Sequence, residues 1–301
     1  MRKFIVTTTI NPPTEALIRF SKMEDWTLVV VGDQKTPHYL YRDIDCDYLT
    51  PEYQEQLYPE LSRLIGWNCI QRRNIGFIYA YKQGADIIAT VDDDNIPYDH
   101  WGKDLIVGKK IKTHHYKVSS PVADPLSVTS HPELWHRGFP IEYLKESRYP
   151  VKSKRMKSIK CLVQADLWDG EADVDAIERI FLKTDGTLIA STPYSFDKIV
   201  PFNSQNTFIA REALKDYFLF PHIGRLDDIW AAYYLQRKLG KCVVFNARSV
   251  FQKRNDHNVV KDMENEMIGY KYSGEFATTG NMKLIPETSR EAFKEYQRLL
   301  K

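Results

Sequence analysis

The chain opens as short apolar runs separated by stretches with helical periodicity. Residues 4–10 (Phe-Ile-Val-Thr-Thr-Thr-Ile) form a β-rich run that stops at Asn11-Pro12-Pro13, where proline forbids further pairing. Thr14 is placed to cap a helix over 15–22. Residues 26–32 (Trp-Thr-Leu-Val-Val-Val-Gly) predict a second strand, and residues 38–66 a loop with a short helix. A helix over 74–83, closed by Gly84, leads to a strand over 87–92. Later come a strand over 200–210, an amphipathic helix over 229–239 that Gly240 ends, a last strand over 241–251, and helices over 259–268 and 289–301. Residues 96–160 show no clear period and predict an elaborated loop region. Uniformly apolar strands alternating with helices indicate an α/β fold, a mostly parallel sheet covered by helices on both faces. Ligands of such sheets sit at the carboxyl ends of the strands, which here carry Thr7, Thr8, Asp33 and residues 92–94.

The stretch 87–94 (Ile-Ile-Ala-Thr-Val-Asp-Asp-Asp) is the strongest chemical signal, because a buried strand runs without a break into three carboxylates. Adjacent aspartates repel one another unless they share a cation, and hard oxygen ligands suit Mg²⁺ or Mn²⁺. The competing interpretation is a solvated acidic turn. Arg72 and Arg73 open the helix that precedes this strand; guanidinium groups and unpaired amides at a helix start suit a diphosphate, and two solvated surface arginines are the alternative. Asp227 and Asp228 stand at a later helix mouth, where one can cap the helix while the other faces substrate.

Composition narrows the class. The 301 residues carry 42 basic and 40 acidic side chains, a net charge of +2, which is far from a dedicated nucleic-acid binder. Four cysteines lie far apart with no Cys-x-x-Cys pair, arguing against structural zinc and for free thiols in a reducing compartment. No apolar run approaches the roughly 18 residues that span a bilayer, and Met1-Arg2-Lys3 leads straight into a strand, so a soluble, cytoplasmic protein is expected. Without repeats or a Gly/Ser linker, residues 1–301 are expected to form one domain. Its nucleotide-binding half is 1–95, its acceptor and metal half 96–270, and its helical tail 271–301.

Several other features stay open at this level. His114 and His115 are adjacent, and on a strand they would point to opposite faces, which disfavours joint metal binding. The basic run 145–160 suits a solvated loop or, second, a contact to an anionic partner. Trp168 and Asp169 precede an acidic turn (Asp173, Asp175) that either complements a helix dipole or, in a sugar-handling protein, supplies a platform and hydroxyl ligands. Asn203, Gln205 and Asn206 bring amides to the strand over 200–210.

Taken in order, Thr9-Ile10-Asn11-Pro12-Pro13-Thr14, Gly32-Asp33 with Lys35-Thr36-Pro37, Arg73-Asn74-Ile75-Gly76 and Asp92-Asp93-Asp94 form the first half of a longer pattern. Arg137-Gly138-Phe139-Pro140, Leu167-Trp168-Asp169-Gly170, Asp173-Val174-Asp175-Ala176, Asn203-Ser204-Gln205-Asn206-Thr207 and Asp228-Ile229-Trp230 complete it. The pattern resembles the STELLO family of glycosyltransferase-like proteins and, more distantly, the reversibly glycosylated polypeptides that include UDP-arabinopyranose mutases. That resemblance implies a GT-A fold and a nucleotide-sugar donor, UDP-linked first and GDP-linked second. Asp92 and Asp94 would be a DXD-type motif for Mn²⁺ or Mg²⁺, completed by His257 or, in another alignment, Gln252. Thr8, Asp33, Arg72, Arg73, Asp92 and Asp93 would hold the nucleotide diphosphate, with Asp33 on the base or ribose. Trp168, Asp169, Asn203, Gln205 and Asn206 would contact sugar, and Asp228, with Asp227 beside it, would be the base of an inverting transfer. The mutase relatives carry an arginine after their Arg-Gly-aromatic-Pro segment that the stretch 141–145 lacks.

The expected activity is therefore metal-dependent sugar transfer from a nucleotide sugar to a hydroxyl of a carbohydrate or glycoconjugate acceptor. A non-catalytic nucleotide-sugar-binding scaffold or regulator of polysaccharide synthesis, or a UDP-sugar mutase, is the alternative. A nucleotidyltransferase or phosphohydrolase is weaker, since no Gly-rich phosphate loop is present.

Overall fold

The computed structural model describes residues 1–145, 149–151, 155–253 and 258–301. Strands β1 (Lys3–Thr9), β2 (Thr27–Gly32), β3 (Asp47–Leu49) and β4 (Ile87–Val91) lie side by side in the order β3-β2-β1-β4, all parallel. β4 is buried along its whole length, as are Val29, Val30 and Val31 of β2. Complete burial of each such side chain contributes about 1.5–3 kcal/mol, which is why these strands carry no polar alternation.

Beyond β4 the sheet is mixed, which corrects the expectation of a mostly parallel arrangement. In chain order follow β5 (Asn95–Pro97), β6 (Lys110–Val118), β7 (Pro150–Val151), β8 (Met156–Lys160), β9 (Val163–Glu171), β10 (Asp185–Thr187), β11 (Tyr194–Phe196), β12 (Asn206–Ala210) and β13 (Val243–Gln252). The path continues β4-β12-β9-β13-β11-β6-β7, with β12 antiparallel to both β4 and β9. Residues 96–160 thus hold strands where a loop region was expected. In β6 (Lys-Ile-Lys-Thr-His-His-Tyr-Lys-Val) one face meets solvent, so apolar and polar positions mix and the uniform signature of the buried strands is missing. The strand expected over 200–210 begins only at Asn206.

The helices are α1 (Glu15–Phe20), α2 (Pro51–Leu57), α3 (Pro59–Ile65), α4 (Arg73–Lys82), α5 (Ala176–Phe181), α6 (Asp227–Leu239), α7 (Val259–Thr279) and α8 (Glu287–Leu299). Thr14 caps α1 as expected, its hydroxyl accepting from the Leu17 amide. Residues 38–66 form β3 and two helices, each with proline in its first turn. Helix α7 runs on to Gly280, whose left-handed φ of 67° provides the stop, well past the expected end at 268. Cys46, Cys69, Cys161 and Cys242 are free, and no described helix is long and apolar enough to cross a membrane.

Candidate functional site

The end of β4 delivers the three aspartates to the junction of two cavities. One, of about 270 Å³, is lined by Thr8, Thr9, Asn11, Asp33, Asn68 and Arg73 together with Asp92, Asp93 and Asp94. The other, of about 240 Å³, is lined by Arg137, Asp173, Arg225, Asp227, Asp228 and Gln252. Asp92 and Asp94 belong to both. Asp93, in the turn that follows β4, lines the first cavity and not the second. Its carboxylate accepts from the Thr9 hydroxyl at 2.5 Å and from Asn11 Nδ2 at 2.9 Å, tying the end of β1 to the acidic turn.

Arg73 positions Asp92. Its side chain is 1% exposed; Nη2 donates to Asp92 Oδ1 at 2.6 Å, while Nη1 donates to the Ser204 carbonyl at 3.0 Å and the Ser204 hydroxyl at 2.9 Å. Asp92 Oδ1 is thereby fixed, leaving Oδ2 for the cavities. Asp33 sits at the end of β2 with its carboxylate engaged by the backbone amides of Gln34 (2.7 Å), Asn68 (2.8 Å) and Cys69 (3.1 Å). It shapes the wall of the first cavity by folding the 66–70 loop onto the strand end. Thr8 reaches the same wall, its hydroxyl donating to the Val31 carbonyl at 2.9 Å.

The second cavity is built on Arg137, a site residue that sequence reasoning did not single out. Its Nε and Nη2 donate to the two Asp173 oxygens at 2.9 and 3.1 Å, and Nη2 also reaches both Asp228 oxygens at 3.1 Å. Burial alone would lower the pKa of this guanidinium, but Asp173 and Asp228 hold it well above its ordinary value. Asp228 further accepts from the Ser204 amide at 2.9 Å and the Ser204 hydroxyl at 3.2 Å. Its oxygens are committed to structure. Asp227 differs: Gln71 Nε2 donates to Oδ2 at 2.9 Å, and the carboxyl lines the cavity. Burial first, and the Asp228 charge second, push its pKa up to about 7. Neither aspartate caps α6, whose N-cap is Leu226 without a side-chain bond.

Other expected site residues fall elsewhere. Arg72 is fully buried, its guanidinium bonded to Gln54 Oε1 and the Ser62 and Gly66 carbonyls and stacked 3.6 Å from the Trp67 ring centre, so it holds no phosphate. Arg72 and Arg73 share a helical turn and must therefore point to different sides. Trp168 is 3% exposed inside β9 and lines neither cavity, which removes it as a sugar platform. Asp169 accepts from the Tyr98 hydroxyl at 2.7 Å and pairs with Arg248 at 2.9 Å, outside both cavities. Asn206 is spent in the core on Trp101 and Ser249, and Asn203 supports Asp173 at 2.8 Å without lining a cavity. Gln205 does line the second cavity, and its Nε2 donates to Gln252 Oε1 at 3.1 Å. Across β9 and β13 Gln252 pairs with Gly170, at φ 92°, whose added Cβ would lie 2.4 Å from the Gln252 carbonyl. His257 lies outside the described residues, as do Arg148, Lys152 and Lys154 of the basic run. His115, by contrast, is buried against the Ser195 hydroxyl at 3.0 Å.

The sequence predicts a divalent cation at the acidic strand end. Among the described residues no group of three His, Cys, Asp or Glu side chains converges as a closed metal cage. Mg²⁺ and Mn²⁺ do not require one: they keep several waters and bind through one or two carboxylates plus substrate phosphate oxygens. Asp92, with one oxygen fixed by Arg73, and Asp94, facing both cavities, fit that role, and the Gln252 amide stands in the same cavity.

No family model matches the sequence. Over 261 residues, however, the chain is 24% identical to the probable glycosyltransferase STELLO1 of Arabidopsis thaliana, and over 262 residues 23% identical to STELLO2. The chain is similar to the STELLO glycosyltransferases. Each match covers 79% of the chain and 33% of the relative, so the chain spans about a third of the length of the curated relatives it matches. Among solved structures, glucosyl-3-phosphoglycerate synthase from Mycobacterium tuberculosis in complex with phosphoglyceric acid superposes with a TM-score of 0.51 at 12% identity, over 95% of this chain and 81% of that one. The same enzyme in complex with Mn²⁺, UDP-glucose and phosphoglyceric acid gives 0.51 at 11% identity, over 91% and 80%. These likenesses carry the fold: an α/β GT-A architecture with its large central sheet flanked by helices.

Proposed function

We propose that the chain is a metal-dependent glycosyltransferase that moves a sugar from a UDP-sugar to an acceptor hydroxyl with inversion. The observation that carries this reading is the sharing of Asp92 and Asp94 between two cavities of contrasting chemistry. The first, walled by Thr8, Asp33, Asn68 and Arg73, suits the nucleotide; the second, with Asp227 on its wall, suits the transferred sugar and the acceptor. The names of the STELLO relatives and the Mn²⁺ and UDP-glucose of the structural neighbour support the same assignment.

In this mechanism Asp92 and Asp94 would hold a divalent cation, which would supply positive charge against the departing nucleoside diphosphate. Arg73 keeps Asp92 in position. Arg137 fixes Asp228 and Asp173 and so sets the geometry of the cavity floor. Asp227, rather than Asp228, accepts the proton of the attacking hydroxyl. Among the described residues its side-chain partner is Gln71, whereas Arg137 reaches both Asp228 oxygens, and a pKa near the working pH is the best match for a general base. Incubation with UDP-glucose and Mn²⁺, followed by measurement of released UDP, tests the proposal: release that EDTA abolishes and Asp227→Asn reduces at least a hundredfold is expected. Tight UDP-sugar binding with no release of UDP and no transfer of sugar to any acceptor hydroxyl would leave the scaffold interpretation in its place.

A further inference from the structure

The second cavity contains two guanidinium groups, and each is already held by two carboxylates. Arg137 is clasped by Asp173 and Asp228. Arg225 donates through Nε to Glu266 at 2.9 Å and through Nη1 to Asp262 at 3.3 Å. Both of those acids come from α7, and Glu266 is pinned in turn by the Ala176 amide at 2.8 Å and the Tyr270 hydroxyl at 2.5 Å. Gly224, at φ 65°, lets this helix close in: a Cβ there would stand 2.0 Å from the Asn265 carbonyl.

The surroundings are dominated by acid. Asp92, Asp94, Asp173, Asp227 and Asp228 line the cavity, with Asp262 and Glu266 directly behind Arg225. Against these seven carboxylates stand, among the described residues, the guanidiniums of Arg137 and Arg225 in the cavity and that of Arg73 behind Asp92. A divalent cation at Asp92 and Asp94 does not reverse that balance, and the donor's diphosphate adds further negative charge. Among the described residues, the one lysine beside the acidic turn, Lys253, lines a different cavity next to Asp93 and Asp94. Among the described residues, an anionic acceptor entering here would meet no guanidinium that lacks a carboxylate partner and would be desolvated beside carboxylates. Hydroxyl groups, which donate to carboxylates and to the amide oxygens of Gln205 and Gln252, meet what they need. Among the described residues the lining has no aromatic ring, and Ile70 is its apolar member, so recognition rests on hydrogen bonds rather than stacking.

We infer that the acceptor is a neutral or cationic polyhydroxyl compound, and that acceptors bearing a phosphate or carboxylate at the entering end are rejected. This rests on the assignment of the second cavity to the acceptor, and it sets the chain apart from the structural neighbour, whose complexes contain phosphoglyceric acid.

The test compares rings of one shape and different charge: glucose, glucosamine, glucose 6-phosphate and glucuronic acid. Their binding is measured by calorimetry on the purified chain, alone and with saturating UDP and Mn²⁺. The expected result is binding of glucose and glucosamine at least tenfold tighter than of the two anions. Asp262→Ala, which releases one arm of Arg225, should narrow the gap for glucose 6-phosphate several-fold. Equal or tighter binding of either anion by the unaltered chain, or no binding of any of the four rings, overturns the inference. Failure of UDP to bind overturns the donor assignment separately, because the charge ordering is still read without it.

Discussion

Replacing Asp227 by asparagine should abolish catalysis while stabilising the protein at alkaline pH. The side chain is 4% exposed, its neighbour Asp228 is ionically paired to Arg137, and its pKa is pushed up to about 7 from the ordinary 3.8 by burial and then by the Asp228 charge. The sign follows from linkage. A carboxyl whose pKa is higher in the folded than in the unfolded state binds its proton more tightly when folded. Its favourable contribution is complete below pH 3.8 and is lost as pH rises through about 7. Between those limits the loss is at most about 4 kcal/mol. Asparagine keeps an oxygen for the Gln71 Nε2 bond and carries no charge, so the variant escapes the loss. Urea unfolding at pH 5 and pH 8 measures it: the advantage of Asp227→Asn should be larger at pH 8, by about 1–3 kcal/mol. Under the same account kcat/KM of the unaltered chain falls on an acid limb with an apparent pKa near 7, and the variant loses a factor of 10² to 10⁴ in rate. A variant that is less stable than the parent at pH 8, or a rate profile flat down to pH 5, refutes the reasoning.

Other substitutions separate positioning from binding. Arg137→Met leaves Asp173 and Asp228 buried without their shared cation and should cost about 3–5 kcal/mol in urea unfolding at pH 7. Arg72→Met should cost about 3 kcal/mol through the loss of its bonds to Gln54 and Ser62, yet leave the calorimetric affinity of the folded protein for UDP unchanged, because Arg72 lies outside the cavities. Gly224→Ala combines a left-handed backbone with a Cβ 2.0 Å from a helix carbonyl, so thermal unfolding should drop by several degrees as α7 is pushed off Arg225.

Much of the first cavity was legible because it follows from strand chemistry. Uniformly apolar strands had to be buried and parallel, and their carboxyl ends had to converge, so Thr8, Asp33 and Asp92 to Asp94 fall on one edge as pattern alone demands. What pattern could not supply was which of two adjacent residues faces the site. Arg72 and Arg73, or Asp227 and Asp228, differ only by rotation about a helical turn, and the partners that settle the choice are Gln54, Ser204, Gln71 and Arg137. Trp168 misled for a related reason. An aromatic beside carboxylates suggests a sugar platform, but every second residue of a central strand is core. Arg137 and Asp173 were present as fragments of the family resemblance; a buried arginine in a Gly-Pro-bounded turn, with acids 36 and 91 residues later, was the signal available for them.

The central claim is that Asp92 and Asp94 join a nucleotide cavity to an acceptor cavity through a shared divalent cation. Thermal unfolding with UDP at a hundredfold excess over its dissociation constant, with and without Mn²⁺, tests it most directly. The account predicts about 2.7 kcal/mol of stabilisation, a rise in Tm of about 4 °C for a chain of this length, that requires Mn²⁺ and disappears in Asp92→Asn. A shift of equal size without Mn²⁺, or one that survives Asp92→Asn combined with Asp94→Asn, would contradict it.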